Sequence, residues 1–292
     1  MIDTTATGAS TPRYEAVVTA DNRNTSHTQV AELISTLGAG RLRILEVGCA
    51  SGYLSAYLKT FGHWVSGVEP SPAAAAAARA VLDEVHAGDF DSYLAATAGA
   101  TTPPFDVIIF ADVLEHLIDP AHTLRECRSV LAPEGHVAIS VPNVTHGGIR
   151  GMLLEGHWTY AELGILDRTH LRFFSRDGFI DLLDEAAFDL VELRRTTMSL
   201  DAMSTQFGID LSHGTIALVQ SAARDYDAET FQFIALTKPR ATPHQLAAAN
   251  ARWRSGPIAS AGVTAVPDRP WWQTRAWLRT RLRAIVRLFR PR

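Results

Sequence analysis

Residues 41–54, Arg-Leu-Arg-Ile-Leu-Glu-Val-Gly-Cys-Ala-Ser-Gly-Tyr-Leu, decide the fold of this chain. The apolar run Leu42–Val47 predicts a buried strand, which stops at Gly48, a residue that permits a tight turn and close approach of a ligand to the backbone. Gly52 stands at the start of a helical pattern of apolar residues. A strand, a glycine-bracketed turn and a helix start together predict a nucleotide site at the carboxyl edge of a parallel sheet.

The spacing of this turn meets neither common phosphate-binding signature. A phosphate-cradling loop has Lys and Ser or Thr after its last glycine, and a dinucleotide site has G-x-G-x-x-G. This chain has Gly48-x-x-x-Gly52, with Glu46 before it. A carboxylate there would repel a pyrophosphate but suits a ligand with an ammonium and a sulfonium group. The pattern resembles the first motif of class I S-adenosylmethionine (AdoMet) methyltransferases.

Two later stretches follow in the order of that family. Residues 64–69 predict a second strand that ends in Glu69, about twenty residues past the first glycine, where a carboxylate accepts from both ribose hydroxyls. Residues 87–90 resemble the family's adenine motif, in which Asp89 would accept from the adenine amino group while Phe90 offers an apolar face. A solvated strand end is the alternative for each acid taken singly. We expect these residues to bind AdoMet: Glu46, Gly48, Cys49, Gly52, Tyr53, Glu69, Pro70, Asp89, Phe90 and Asp112.

Length and composition fit a globular α/β protein. The 292 residues suffice for one large domain with an appendage, and a hydrophobic content of 47% is ordinary for such a chain. Residues 1–13 are polar and lack the pattern of a signal peptide, and no apolar run reaches membrane-spanning length. Cys49 and Cys127 stand alone, which argues against a disulfide framework and a zinc site. We therefore expect a cytoplasmic protein.

Further alternation of strands and helices predicts the rest of the sheet. The apolar run 105–111 is typical of a central strand buried on both faces, and residues 137–141 predict its neighbour. Residues 190–196 and 230–237 predict the last two strands, which the resemblance implies are an antiparallel addition. We predict an α/β fold: a Rossmann-like, seven-stranded, mostly parallel sheet with helices on both faces, plus a C-terminal linker and a basic amphipathic helix.

The same patterns divide the chain into segments. Residues 1–240 are the methyltransferase domain, in which residues 143–174 form a lid or acceptor segment and residues 198–229 an insertion. Residues 241–270 are rich in Ala, Pro, Gly and Ser, which is typical of a linker. Residues 271–292 are the basic helix.

Near the N-terminus, residues 14–37 predict a helix ahead of the first strand. The polar stretch 21–27 either caps that helix or folds over the cofactor, as such segments do in the resembled family.

The charge of the basic helix differs from that of the body. Eight Arg and one Asp follow from Asp268 onward, although the whole chain has a net charge of −4. Its arginines lie on one helical face and apolar residues on another, which predicts reversible attachment to an anionic membrane surface, at the inner face of the membrane. Packing on its own domain or on a second copy in a homodimer is the alternative. Because the body is acidic, we expect no nucleic-acid partner.

Histidines after the fourth strand and in the lid are the candidates for acid–base chemistry. His116, in the stretch Asp112-Val-Leu-Glu-His116, is the first candidate for general base because the unperturbed pKa of histidine lies near working pH. His170, with Asp167 as its orienting carboxylate, is the second, and His146 the third. A structural role for His116 is the alternative, because the E-H-L segment recurs in relatives with unlike acceptors.

Several of these side chains are also metal ligands by type. A hard metal would suit the carboxylates and histidines between positions 112 and 122, but no compact ligand motif is met. We therefore predict no metal site.

A second resemblance concerns the acceptor. Residues 141–146, Val-Pro-Asn-Val-Thr-His, and residues 163–174 resemble a bacterial subgroup of class I methyltransferases found with glycosyltransferases in surface-polysaccharide and glycolipid pathways. The resemblance covers about residues 14–195. It implies O-methylation of a sugar or glycan hydroxyl, by in-line transfer with a histidine base. The alternatives are a methyltransferase for a small secondary metabolite or quinone, and an inactive AdoMet-binding scaffold.

Overall fold

The computed structural model describes residues 18–99, 101–222, 227–241 and 248–260. Within those ranges one sheet of eight strands runs in the order β3-β2-β1-β4-β5-β7-β6-β8. Its strands are β1 (Arg43–Val47), β2 (Trp64–Glu69), β3 (Glu84–Ala87), β4 (Phe105–Ala111), β5 (Leu131–Pro142), β6 (Phe188–Thr197), β7 (Thr230–Pro239) and β8 (Ala259–Ser260).

Helices connect the strands and cover the sheet. They are α1 (Ser26–Ser35), α2 (Tyr53–Lys59), α3 (Pro72–Ala78), α4 (Phe90–Thr97), α5 (Pro120–Glu126), α6 (Gly147–Leu154), α7 (Arg176–Glu185), α8 (Leu200–Phe207), α9 (His213–Ala222) and α10 (Ala248–Ala251). Two 3-10 turns, Leu114–His116 and Cys127–Ser129, complete the described structure.

The topology confirms the predicted Rossmann-like fold. Strands β1 to β5 are mutually parallel, and β7 pairs antiparallel with both β5 and β6. The two-residue strand β8, parallel to β6, adds an eighth member that the sequence does not predict. Because β1 to β5 are parallel, their carboxyl ends meet at one edge, which is where the predicted site residues lie.

The central strands contribute side chains to cores on both faces of the sheet. On β1, Ile44 belongs to the core that includes α1 and α2, whereas its neighbour Leu45 belongs to the core on the opposite face, which includes α4, α5 and α7. On β4, Ile109 and Phe110 divide in the same way. Alternate side chains of a strand point to opposite faces, and helices cover both faces of this sheet. The β4 strand therefore contains no polar side chain after Asp106.

Side-chain caps fix where several helices begin. The hydroxyl of Ser71 accepts from the amide of Ala74 at the start of α3, and Asp119 accepts from the amide of His122 at the start of α5. Each cap is followed by proline, whose fixed φ suits the first turn. Thr25 caps α1 in the same manner, which agrees with the capping role expected of the polar stretch 21–27.

Part of the predicted linker packs on the domain instead. Asn250 is buried, donates to the carbonyl of Phe188 at 2.9 Å and accepts from the amide of Leu190 at 2.8 Å. Arg254 pairs with Asp184 at 2.9 Å. Residues 248–260 are therefore fixed on the domain and are not a free linker. The sequence does not predict this, because polar contacts with a distant strand produce no periodic pattern of hydrophobic residues.

The lid and the insertion form a smaller core beside the sheet. Ile149 and Met152 of α6 pack with Ile165 and Leu166 of the lid and with Met203 of α8. Residues 271–292, the predicted basic helix, lie outside the described residues. In the part of the chain that the structure describes, no helix is long and apolar enough to cross a membrane.

Candidate functional site

The turn between β1 and α2 favours glycine at two positions. Gly48 and Gly52 have φ of 72° and 83°, in the left-handed region. A Cβ atom on Gly48 would lie 2.7 Å from Val113 Cγ2, and one on Gly52 would lie 2.4 Å from Leu82 Cδ1. Both predicted glycines are therefore required by backbone geometry and by space.

Glu69 joins this turn to the loop after β2. Its two carboxylate oxygens accept from the amides of Ala50, at 2.9 Å, and Ser71, at 2.8 Å. A carboxylate oxygen can accept more than one hydrogen bond, so Glu69 keeps capacity for a pair of hydroxyls. Pro70 beside it is exposed, whereas Cys49 is buried, and burial raises the pKa of the Cys49 thiol. The thiol is accordingly unreactive.

Glu46 lies under the turn rather than at its surface. It is 3% exposed and accepts a short hydrogen bond from the hydroxyl of Ser55 on α2. Burial raises the pKa of Glu46 to about 8, although the hydrogen bond from Ser55 acts in the opposite direction. The carboxyl group is therefore largely protonated at neutral pH until a cationic group lies beside it.

Asp112 ends β4 in a conformation that is rare for a residue with a side chain. Its φ is 56°, and its Oδ1 accepts from Ser140 Oγ at 2.7 Å and Gln232 Nε2 at 2.8 Å. Its Oδ2 accepts from Ser26 Oγ at 3.2 Å. Strained backbone persists where its surroundings hold it, and it concentrates at functional sites. The sequence points to Asp112 but not to Ser26, Ser140 and Gln232, because nothing in the local sequence links these three positions.

The N-terminal segment reaches the same edge of the sheet. His27 Nε2 lies 3.1 Å from the hydroxyl of Tyr53, and burial lowers the pKa of His27 and raises that of Tyr53. Asn24 exchanges two hydrogen bonds with the backbone of Thr197 on β6. The polar stretch 21–27 therefore caps α1 and also contacts Tyr53 and β6, and its folding over the cofactor stays a prediction.

Asp89 and Phe90 occupy the start of α4. The carboxylate of Asp89 is exposed and accepts from the amide of Ser92 at 2.8 Å, which lowers the pKa of Asp89. Phe90 is buried, with its ring stacked near Tyr93 and edge-on to Phe110. In the structure Asp89 is thus a helix cap with remaining acceptor capacity, and Phe90 belongs to the core beneath it.

Two candidate bases meet at the carboxyl end of β4. The rings of His116 and His170 lie edge to face with centroids 4.8 Å apart. His170 Nδ1 lies 3.0 Å from the carbonyl oxygen of Ile165, and burial lowers the pKa of His170. Asp167 Oδ1 accepts from the amide and the hydroxyl of Thr169, so the carbonyl of Ile165 is the group that orients His170 through Nδ1.

The buried side chain of Glu115 lies close to these two histidines. One ligand atom from each of Glu115, His116 and His170 lies within 4.8 Å of the others. Glu115 is 1% exposed, and burial raises its pKa well above the ordinary value, with Asp112 adding to the effect. The sequence places Glu115 at this strand end but gives no sign that its carboxylate would be enclosed.

His146, the third candidate base, is a structural residue by its contacts. It is buried, its Nδ1 accepts from the amide of Gly148 at 3.0 Å, and its Nε2 lies 2.8 Å from the carbonyl of Met198. Both ring nitrogens are therefore used in holding the start of α6 against the insertion. We do not assign His146 a part in proton transfer.

A largely apolar cavity of about 280 Å³ is lined by residues of the lid, α6 and α8. Ile165, whose carbonyl orients His170, is one of its walls. A second cavity, of about 380 Å³, lies beside Phe105 at the amino end of β4, and its lining includes none of the predicted site residues. Further walls of the first cavity are Ile149, Met152, Tyr160, Leu166, Met203 and Phe207.

Comparison with known sequences agrees with this geometry. A family model described as a methyltransferase domain matches residues 22–193. The ubiquinone biosynthesis O-methyltransferase of Cereibacter sphaeroides (strain KD131) is 26% identical over 184 residues, which are 63% of this chain and 74% of that protein. The enzyme of the same name from Bradyrhizobium diazoefficiens is 34% identical over 106 residues, 36% of this chain. That second alignment spans only 41% of the relative's length.

Solved structures show the same fold. A SAM-dependent methyltransferase from Archaeoglobus fulgidus has a TM-score of 0.51 and 17% identity, covering 73% of this chain and 94% of its own. A chain from the complex between the Haloferax volcanii Trm112 methyltransferase activator and the putative methyltransferase has the same score and identity, covering 77% of this chain and 93% of its own.

Proposed function

Because this chain belongs to the methyltransferase-domain family and is an AdoMet-dependent methyltransferase, we propose that it methylates a hydroxyl of an amphipathic phenol- or quinone-type acceptor. One observation carries this proposal: Ile165 is a wall of the apolar cavity, and its carbonyl also orients His170. An apolar acceptor in that cavity would lie next to a group able to take its proton. The name of the relatives, ubiquinone biosynthesis O-methyltransferase, supports an acceptor of this class.

The residues at the carboxyl edge fit AdoMet. The left-handed glycines Gly48 and Gly52 form the tight turn, and Glu69 keeps acceptor capacity for the two ribose hydroxyls. Asp89 would accept from the adenine amino group, with Phe90 as the apolar support beneath. AdoMet supplies an electrophilic methyl group carried on a positively charged sulfur.

The amino-acid end of AdoMet would lie near the acidic groups of β1 and β4. Glu46 would ionise beside an ammonium group, because an opposite charge favours the carboxylate that burial otherwise suppresses. Asp112 is already fixed there by Ser140, Gln232 and Ser26. These residues therefore select a cationic amino acid moiety and orient it.

The remaining task of the protein is to align the acceptor and take its proton. Burial lowers the pKa of His170, so its imidazole is neutral and able to accept a proton at neutral pH. His116 packs against His170, with the ring centroids 4.8 Å apart, and so helps to hold the His170 ring in place. The lid residues around the cavity exclude water, which would compete for space and weaken electrostatic interactions at the site.

A sugar or glycan hydroxyl is the second candidate acceptor. The likeness of residues 141–146 and 163–174 to methyltransferases of glycan pathways favours it. The relatives reported above do not carry a glycan in their names. We therefore rank it below the phenol or quinone.

The test is a direct acceptor assay on the full chain. AdoMet is supplied with a catechol bearing an alkyl or isoprenoid chain, or with a lipid-linked sugar, and products are analysed by mass spectrometry. We expect the mass of one methyl group on the catechol. Methylation of the sugar alone would establish the second candidate, and binding of AdoMet without consumption in either mixture would contradict both.

Two variants distinguish loss of the proposed base from loss of folding or of AdoMet binding. His170→Ala should lower kcat by about 100-fold or more, the usual size of a general-base contribution. The AdoMet dissociation constant, measured by calorimetry, should change little. His122→Ala, an exposed histidine on α5, is the matched control and should leave both quantities unchanged. Equal activity of His170→Ala and the control would refute the base assignment.

A further inference from the structure

The carboxylate of Glu115 is buried without a hydrogen-bond partner. Among the described residues, neither of its oxygens has one, and the side chain is 1% exposed. Burying a carboxylate in this way is costly unless a cation or a proton compensates for the lost hydration. The nearest groups of ligand type are the imidazoles of His116 and His170, each with a ligand atom within 4.8 Å of the others in this cluster.

Two imidazoles lie near this carboxylate, and each has a carbonyl beside its Nδ1. His170 Nδ1 lies 3.0 Å from the carbonyl of Ile165. His116 Nδ1 lies 3.2 Å from both the carbonyl and the hydroxyl oxygen of Thr169, and that hydroxyl gives its hydrogen to Asp167. A carbonyl only accepts, so each Nδ1 carries the hydrogen and each Nε2 carries the lone pair. A backbone carbonyl bound to the far nitrogen is the usual support of a metal-binding histidine.

We propose that Glu115, His116 and His170 bind a divalent transition-metal cation through two nitrogens and one oxygen. Their ligand atoms lie within 4.8 Å of one another, whereas ligands of a tetrahedral Zn²⁺ are separated by roughly 3.4 Å. Side-chain rotations that shorten these separations by up to about 1.4 Å would bring the three atoms to bonding distance. The ligand set, mixed imidazole and carboxylate, suits Zn²⁺, Co²⁺ or Fe²⁺ better than Mg²⁺ or Ca²⁺.

This site departs from the sequence-based expectation of no metal. Glu115 and His116 are adjacent, but His170 follows more than fifty residues later, in the lid. The amides of Leu171 and Arg172 both donate to the carbonyl of Glu115, at 2.8 and 3.0 Å, and so fix the lid beside the 3-10 turn. The third ligand comes from a tertiary contact that no spacing motif records.

The inference deepens the proposed function and rests on it for its catalytic role. Three protein ligands leave coordination positions for an acceptor hydroxyl, and a cation there lowers the pKa of that hydroxyl. The hydroxyl oxygen then forms its bond to the methyl carbon as the bond from that carbon to sulfur breaks, and the hydroxyl proton passes to water. In the metal-bound protein His170 would be a ligand, which replaces the role of base proposed for it in the metal-free protein, while the acceptor and the methyl transfer stay the same.

Metal binding is tested on the full chain after treatment with EDTA. Co²⁺ is titrated while its visible absorption is recorded, and bound Zn²⁺ is counted by elemental analysis after equilibrium dialysis. We expect one equivalent, with the absorption of a nitrogen- and oxygen-coordinated cation. Glu115→Gln and His170→Ala should weaken Co²⁺ binding by about 100-fold, while the exposed control His122→Ala binds as the unaltered protein does.

The outcomes separate this inference from the proposed function. Circular dichroism and AdoMet affinity show that each variant is folded. If no cation binds, or if Glu115→Gln binds Co²⁺ as well as the control does, the metal site is refuted, and full methylation after EDTA treatment would then leave the histidine base in place. One bound equivalent of metal, lost in Glu115→Gln, supports the site even if no acceptor tested is methylated.

Discussion

Replacement of Glu46 by glutamine should change how the stability of the protein depends on pH. In the folded protein the pKa of Glu46 is raised from 4.5 to about 8, chiefly by burial, so the folded state holds this proton more tightly than the unfolded state. The contribution to stability is therefore fully present below pH 4.5 and is lost as the pH rises through 8. At about 1.4 kcal/mol for each pKa unit, the loss between pH 5 and pH 8 is about 3 to 4 kcal/mol.

Glu46→Gln removes this titration and retains an oxygen that accepts from Ser55. Urea unfolding of the AdoMet-free protein at pH 5, 6, 7 and 8 should show the stability of the unaltered protein falling relative to that of the variant. Glu84→Gln, at an exposed position on β3, controls for the removal of one charge. Parallel pH profiles for the unaltered protein and Glu46→Gln would refute the argument. AdoMet should also bind more tightly to the unaltered protein as pH rises from 6 to 8, and calorimetry on Glu46→Gln should show no such trend.

Three further changes test the cofactor turn and the tail. Gly52→Ala should lower the free energy of unfolding by about 1 to 2 kcal/mol, because its φ is 83°, and urea unfolding with an unchanged midpoint would contradict this. Glu69→Gln should weaken AdoMet binding by about 10- to 100-fold, through loss of charged hydrogen bonds, and calorimetry measures it; an unaltered dissociation constant would remove Glu69 from the ribose site. Deletion of residues 268–292 should abolish flotation with anionic liposomes while methylation of a soluble acceptor continues, and flotation that persists would show that the basic segment does not attach the protein.

The parallel half of the sheet was predictable because its signals are local. Each buried strand is a short apolar run, and each helix start carries its own cap and proline, as Ser71-Pro72 and Asp119-Pro120 do. The glycines of the first turn are local signals too, since their φ values forbid most other residues. The edge of the sheet that carries the predicted cofactor residues follows once these elements are known.

Features that depend on distant contacts could not be predicted in this way. Asn250 looks like a linker residue until Phe188 and Leu190 supply its hydrogen-bond partners. The enclosure of Glu115 depends on the lid at His170, which the sequence places far along the chain. Polar contacts of this kind have no period, so they appear only when the elements are packed together.

Because residues 248–260 are fixed on the domain, the chain that connects the domain to residues 271–292 is shorter than the predicted linker. Ser260 in β8 is held beside Arg195 at the sheet's edge, so only ten residues separate this anchor from Trp271. A fully stretched chain of that length reaches about 40 Å, roughly the width of the domain itself. Any surface that Trp271 contacts must therefore lie within about one domain's width of β8. Binding through residues 271–292 would keep the methyltransferase domain close to that surface.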